Sequence, residues 1–215
     1  MSEVLGRIQA RLGELYDIEV ADIAPFLCDE GQARAVVGDA ASRGEVLLVA
    51  EGADGVFVGL YVAEEALVRL ERDGLAGSLE AFSLAAEGVS HFMYLLFRAE
   101  NEEPVSQLEL ELQAEVDKYA TALLEGWGVG ALRERSRQLR HRLFARAEFL
   151  DDAGTEAGDR YRVAHRCAAR YVAHLEERYV AGGDRRGLVQ ELRRFYRLGA
   201  QDKLSRARDP GRNRR

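Results

Sequence analysis

The chain has 215 residues, 47% of them hydrophobic, 31% charged and 8% aromatic, which is enough apolar material for a full core and excludes a disordered or fibrous chain. Thirty Lys and Arg against thirty-seven Asp and Glu give a net charge of -7, which weighs against a protein whose whole surface grips a nucleic-acid backbone and leaves room for a local basic patch. The longest apolar run in the middle of the chain, Phe92 to Phe97, falls far short of the roughly 20 residues that span a bilayer, so no membrane role is expected.

The first 20 residues space their apolar side chains as an amphipathic helix and contain no continuous apolar h-region, which predicts a cytoplasmic protein. Cys28 and Cys167 are too isolated for a disulfide framework or a metal clip. Val4, Ile8, Leu12 and Leu15 predict a helix over residues 3–16. An irregular stretch around Pro25 follows. Residues 45–63 then read as two β-branched runs joined by Gly52, Ala53, Asp54 and Gly55, the pattern of an antiparallel hairpin. Two strands alone are marginally stable, so a third is expected near Asp17 to Val20. From Glu64 onward the periodicity predicts helices over 64–73, 77–100, 105–125, 130–150, 158–180 and 185–199. The expected fold is α+β: an amino-terminal helix and a small antiparallel sheet, two- or three-stranded, on a helical bundle. One domain is expected over residues 1–202, with a basic, disordered tail over 203–215.

Helix 77–100 carries an apolar arc from Leu79 to Phe97 and an opposite arc of Ser83, Glu87, Ser90, His91, Tyr94, Arg98 and Asn101. Glu87, His91, Tyr94 and Arg98 form one row at i, i+4, i+7 and i+11. Short or semi-polar groups of this kind suit a covered, hydrogen-bonded cleft better than open solvent. On the next helix Glu111, Glu115 and Lys118 share a flank. Antiparallel packing of the two helices is expected to bring Glu111 and Glu115 toward Glu87 and His91. Such a cluster can position a water, hold a divalent ion or shift a pKa for acid and base work. The plainer alternative is a ladder of surface ion pairs worth a few tenths of a kcal/mol. A di-iron site needs two Glu-x-x-His pairs, which are absent, and no residue is assigned as a metal ligand.

Charge divides sharply at Glu125. Residues 1–125 hold 8 Lys and Arg against 25 Asp and Glu, or -17, whereas residues 126–215 hold 22 against 12, or +10. Only Lys118 and Lys203 are lysines, so the second half is an arginine surface, with rows such as Arg133, Arg137 and Arg140, and Arg162, Arg166 and Arg170. Three uses compete: internal pairing with carboxylates, a pocket for a phosphorylated or carboxylated ligand, and nucleic-acid contact through the basic tail. No phosphate loop, dinucleotide fingerprint, nucleophile elbow, zinc-protease or EF-hand motif occurs.

The blocks EGVSHF (Glu87 to Phe92), LELELQAEVDKY (Leu108 to Tyr119) and RRFYRL (Arg193 to Leu198) resemble those of an uncharacterised family of bacterial cytoplasmic proteins. That resemblance implies a bacterial origin and carries no activity or functional residue. The leading functional expectation is a binding or regulatory adaptor that takes a protein partner or a small anionic ligand, with no cofactor named. The rival is an enzyme acting on an anionic substrate, with Glu87, His91 and Glu115 as catalytic groups. Tyr94, Arg98, Glu111, Lys118, Arg166, Arg170 and Arg194 would then bind the substrate. The third is a nucleic-acid-associated protein using the basic tail.

Overall fold

The computed structural model describes residues 2–52, 55–145 and 151–211. Where length suggests one domain, the chain divides into two compact units: Met1–Gly13 with Ile18–Glu102, and Glu14–Asp17 with Glu103–Arg215. The architecture is α+β and mostly helical, with nine α-helices and one two-stranded sheet among the described residues. None of those helices is long and apolar enough to cross a membrane.

The first unit opens on helix α1 (Ser2–Tyr16), whose stripe of Val4, Leu5, Ile8 and Leu12 is buried as its spacing requires. A 3-10 turn at Ala24–Phe26 and helix α2 (Glu30–Val37) occupy the stretch expected to be irregular. A capping box starts α2: the Asp29 carboxylate accepts from the Gln32 backbone N–H at 2.8 Å, and the Gln32 side chain accepts from the Asp29 N–H at 2.9 Å. Strands β1 (Glu45–Gly52) and β2 (Gly55–Val62) form the expected hairpin, in register from Glu45 opposite Val62 to Gly52 opposite Gly55. The third strand expected near residues 17–20 does not form. Stability comes from covering both faces of the hairpin. Leu48 and Tyr61 pack with Ala33 and Ala41 on one side, while Leu60 and Val62 approach Gly88 on the other. One isolated parallel bridge joins Leu27 to Leu60, with the Cys28 N–H donating to the Leu60 carbonyl at 2.9 Å. Helix α3 (Glu64–Gly77), kinked at Gly74, leads into helix α4 (Leu79–Glu100), where the Phe92 ring lies 5.0 Å from that of Phe26.

In the second unit a Ser106–Glu109 capping box starts helix α5 (Gln107–Glu125). At its other end the Arg135 guanidinium donates to the Ala122 carbonyl at 3.1 Å and lies where a Gly126 side chain would be, so a larger residue there would have to displace the guanidinium. The helix expected over 130–150 is helix α6 (Leu132–Arg140) running into a π-helical turn at His141–Ala145, and its final residues 146–150 lie outside the described residues. Helix α7 (Glu156–Leu175) also ends in a π-helical turn, Glu176–Val180. Helices α8 (Arg185–Tyr196) and α9 (Ala200–Arg208) follow. The boundary expected at residue 203 is corrected by α9, which buries Lys203 and Ala207 completely; residues 212–215 lie outside the described residues. Aromatic stacking of Tyr16 on Tyr196 at 4.0 Å and of Tyr171 on Phe195 at 4.1 Å fills this core. Arg193 and Arg197 donate to the carbonyls of Glu14, Leu15, Tyr16 and Asp17 at 2.7–3.2 Å, satisfying acceptors that the end of α1 leaves open.

Candidate functional site

The polar row of α4 is covered rather than solvated. Ser90, His91, Tyr94 and Arg98 are buried and Glu87 is half-buried. Helical spacing sets Glu87 one turn before His91, and a Glu87 carboxylate oxygen lies within 4.8 Å of a ring nitrogen of His91. Strand β1 contributes a group that sequence spacing did not single out: Glu45 Oε1 lies 3.8 Å from His91 Nδ1. Tyr94 and Arg98, expected as ligand-binding groups, pair along the helix, with the guanidinium carbon 6.0 Å from the ring centroid.

In the second unit, Glu115 and Lys118 meet as their i, i+3 spacing predicts, with Nζ 2.9 Å from Oε1. The other carboxylate oxygen lies 3.5 Å from Nδ1 of His165, a buried residue on α7. Nε2 of that ring lies 3.1 Å from the Phe144 carbonyl oxygen. Both ring nitrogens therefore face oxygen acceptors, an arrangement satisfied by the doubly protonated imidazolium. Burial alone pushes the Glu115 carboxyl up, but the Lys118 charge and the His165 hydrogen bond outweigh it and hold the group at about 2. Burial likewise opposes protonation of His165, yet the hydrogen bond and charge of Glu115 raise its pKa. A carboxylate this weakly basic, clamped by two cations, is a poor proton acceptor near neutrality.

Three further polar clusters fill the second unit. The Asp117 carboxylate accepts from the Tyr16 hydroxyl and, at 2.7 Å, from the Gln113 amide. The Gln113 carbonyl accepts from the Lys203 ammonium at 2.6 Å. An ammonium only donates and a carboxylate only accepts, which fixes the orientation of the amide between them. Glu176 accepts from Ser136 at 2.6 Å and has Arg140 at 3.5 Å. Glu191 accepts from Arg206 at 2.7 and 2.8 Å, with the Tyr171 hydroxyl donating at 3.3 Å. Burial first, then the neighbouring carboxylates, raises the Tyr16 and Tyr171 pKa values, so both phenols remain protonated donors.

The remaining predicted binding residues are Glu111, Arg166, Arg170 and Arg194. Glu111 is buried on α5, whereas Arg166 and Arg170 lie exposed on α7. Arg194 is exposed and lines a cleft of about 620 Å³ with Arg206, Arg208, Ser205, Asp202 and Asp209, where two carboxylates offset the guanidinium groups. A second hollow, of about 820 Å³, differs in charge. Arg137 and Arg140 of α6, His141 and Arg142 of the π-helical turn, and the Phe144 ring line it, with Glu134 as the one carboxylate among the described lining residues. Arg137 and Glu134 are both about half exposed and 3.9 Å apart, a weak pairing. The sequence shows these arginines as part of a helical row, but a row gives no sign of the π-helical turn that widens the backbone and gathers them around a hollow.

No protein-family model, no curated protein and no solved structure matches the chain.

Proposed function

We propose that this protein is a binding protein of the adaptor kind, which holds an acidic segment of a partner protein in the arginine-lined groove of α6, the following π-helical turn and α7. The observation that carries this reading is the division of cations in the second unit. Lys118, His165 and Arg206 serve buried or half-buried carboxylates, whereas Arg137, His141 and Arg142 are exposed around a hollow that holds, among the described residues, one weakly paired carboxylate. Planar guanidinium forks suit carboxylate groups, and the groove volume lies in the range of established ligand sites. The low pKa of Glu115 weighs against its use as a catalytic base.

A poly-glutamate peptide, titrated into the full-length protein at low and at physiological salt, tests the reading. Saturable binding that weakens with salt, and that falls at least tenfold in a double Arg137→Glu, Arg142→Glu variant, is expected. The double variant Arg166→Glu, Arg170→Glu makes the same charge change on an exposed row whose residues do not line the groove, and should bind nearly as well as the parent. Equal losses in the two variants would reduce the effect to net charge and overturn the assignment.

A further inference from the structure

The His91 cluster lies in the first unit and plays no part in the groove proposed above. Glu87 and His91 are four residues apart on α4, so their side chains leave the helix on the same face. A carboxylate oxygen of one lies within 4.8 Å of a ring nitrogen of the other. Donors bound to one ion at about 2.0–2.2 Å sit roughly 3 to 3.5 Å apart, so modest side-chain rotation closes the pair onto a shared ion. Glu45 approaches the same ring from β1, with Oε1 3.8 Å from Nδ1. Its approach depends on Gly88, because a Cβ there would lie 3.1 Å from Glu45 Oε2 and 3.1 Å from the Leu60 side chain. The bare helix position next to Glu87 thus lets the strand carry a second carboxylate to the imidazole. Both Glu45 and His91 are well buried, with side-chain exposures of 12% and 7%. Half-buried Glu87 gives the cluster its side toward solvent.

We propose that Glu87 and His91 chelate one divalent transition-metal ion, Zn²⁺ or Mn²⁺, with Glu45 as the carboxylate that orients the His91 ring. The roles follow from donor chemistry. In the metal-bound form proposed, a proton on Nδ1 turned toward Glu45 makes Nε2 the basic nitrogen and the metal ligand, and the outer carboxylate raises its basicity, as in other carboxylate–histidine–metal arrangements. Two carboxylates and a neutral ring carry a charge of -2, which a divalent ion brings to zero in a largely dehydrated setting. The mixed nitrogen and oxygen set favours a borderline transition ion over Mg²⁺ or Ca²⁺, which prefer oxygen alone.

Calorimetric titration of ZnCl₂ and MnCl₂ into the chelator-stripped, full-length protein tests the site, with MgCl₂ as the control. One Zn²⁺ or Mn²⁺ per chain is expected, with affinity reduced at least 100-fold in Glu87→Gln and in His91→Ala. Glu45→Gln should weaken binding by about 10- to 100-fold without altering the backbone circular dichroism of the metal-free protein. No saturable uptake by the parent overturns the proposal, as does parental affinity in Glu87→Gln or Mg²⁺ binding as tight as Zn²⁺. Parental affinity in Glu45→Gln overturns the orienting role assigned to that residue. Should His91→Ala fail to fold, Glu87→Gln, a near-isosteric change at a half-buried position, decides alone.

Discussion

At His165 the imidazole is held between the Glu115 carboxylate and the Phe144 carbonyl, so its charge state is coupled to folding. Its pKa is raised in the folded protein. The stability it contributes is therefore full below its unfolded value of about 6.5 and lost as pH rises through the higher folded value. Glu115 works in the opposite sense. Held at about 2, it contributes stability above an unfolded value of about 4.3 that disappears as pH falls toward 2. The pair thus predicts greatest support between about pH 5 and 6.5, and urea denaturation across pH should show His165→Ala flattening the alkaline limb. An unchanged alkaline slope in that variant would contradict the imidazolium assignment. A second residue-scale prediction concerns Gly88. A methyl group there meets Leu60 and Glu45 at 3.1 Å, so Gly88→Ala should forfeit the gain of about 1 kcal/mol that alanine brings to a helix interior and come out neutral or destabilising in denaturant titration. A stability gain would show that the strand yields freely. Residue roles were legible in the sequence where partners share a helix, as with Glu87 and His91 or Glu115 and Lys118. They were hidden where a partner comes from another element: helical spacing places neither Glu45 beside His91 nor His165 beside Glu115.

Among the elements, α5 and α9 show most clearly how packing overrides composition. Helix α5 buries Glu109, Glu111, Gln113, Asp117, Lys118 and Thr121 together with its apolar stripe. Its charged residues therefore cannot be read as a solvated face. Polar composition likewise marks the segment after Lys203 as a tail, yet α9 is ordered because one fully buried ammonium is bound by the Gln113 carbonyl and packed against the Phe195 and Tyr196 rings at 5.0 and 5.6 Å. Lys203→Met keeps most of the volume but leaves that carbonyl without its charged donor. A loss of about 1–3 kcal/mol is expected by urea denaturation, and a change within about 0.5 kcal/mol would contradict the anchoring role. Strong periodicity made α1, α4, α5, α7 and α8 legible. The eight-residue α2 escaped because its signal is a capping box rather than a repeated apolar stripe. The third strand was expected on the ground that a hairpin needs support, and helices and a single bridge supply that support instead.

For the molecule as a whole, the division of charge between the halves was legible from composition alone, but not the fate of each cation. A guanidinium counts equally in the sum whether it spans two carbonyls, as Arg193 does, neutralises a buried carboxylate, as Arg206 does, or faces an open groove, as Arg137 and Arg142 do. That distinction depends on which helices meet, and it separates structural from ligand-binding arginines. It is most directly tested by nuclear magnetic resonance of the arginine side-chain Nε–H groups in the full-length protein during titration with poly-glutamate. The account predicts that signals from Arg137 and Arg142 shift progressively and saturate together, while those of Arg193 and Arg206 stay in place. Uniform drift of all exposed arginines, or movement at Arg166 and Arg170 without movement at Arg137 and Arg142, would contradict it.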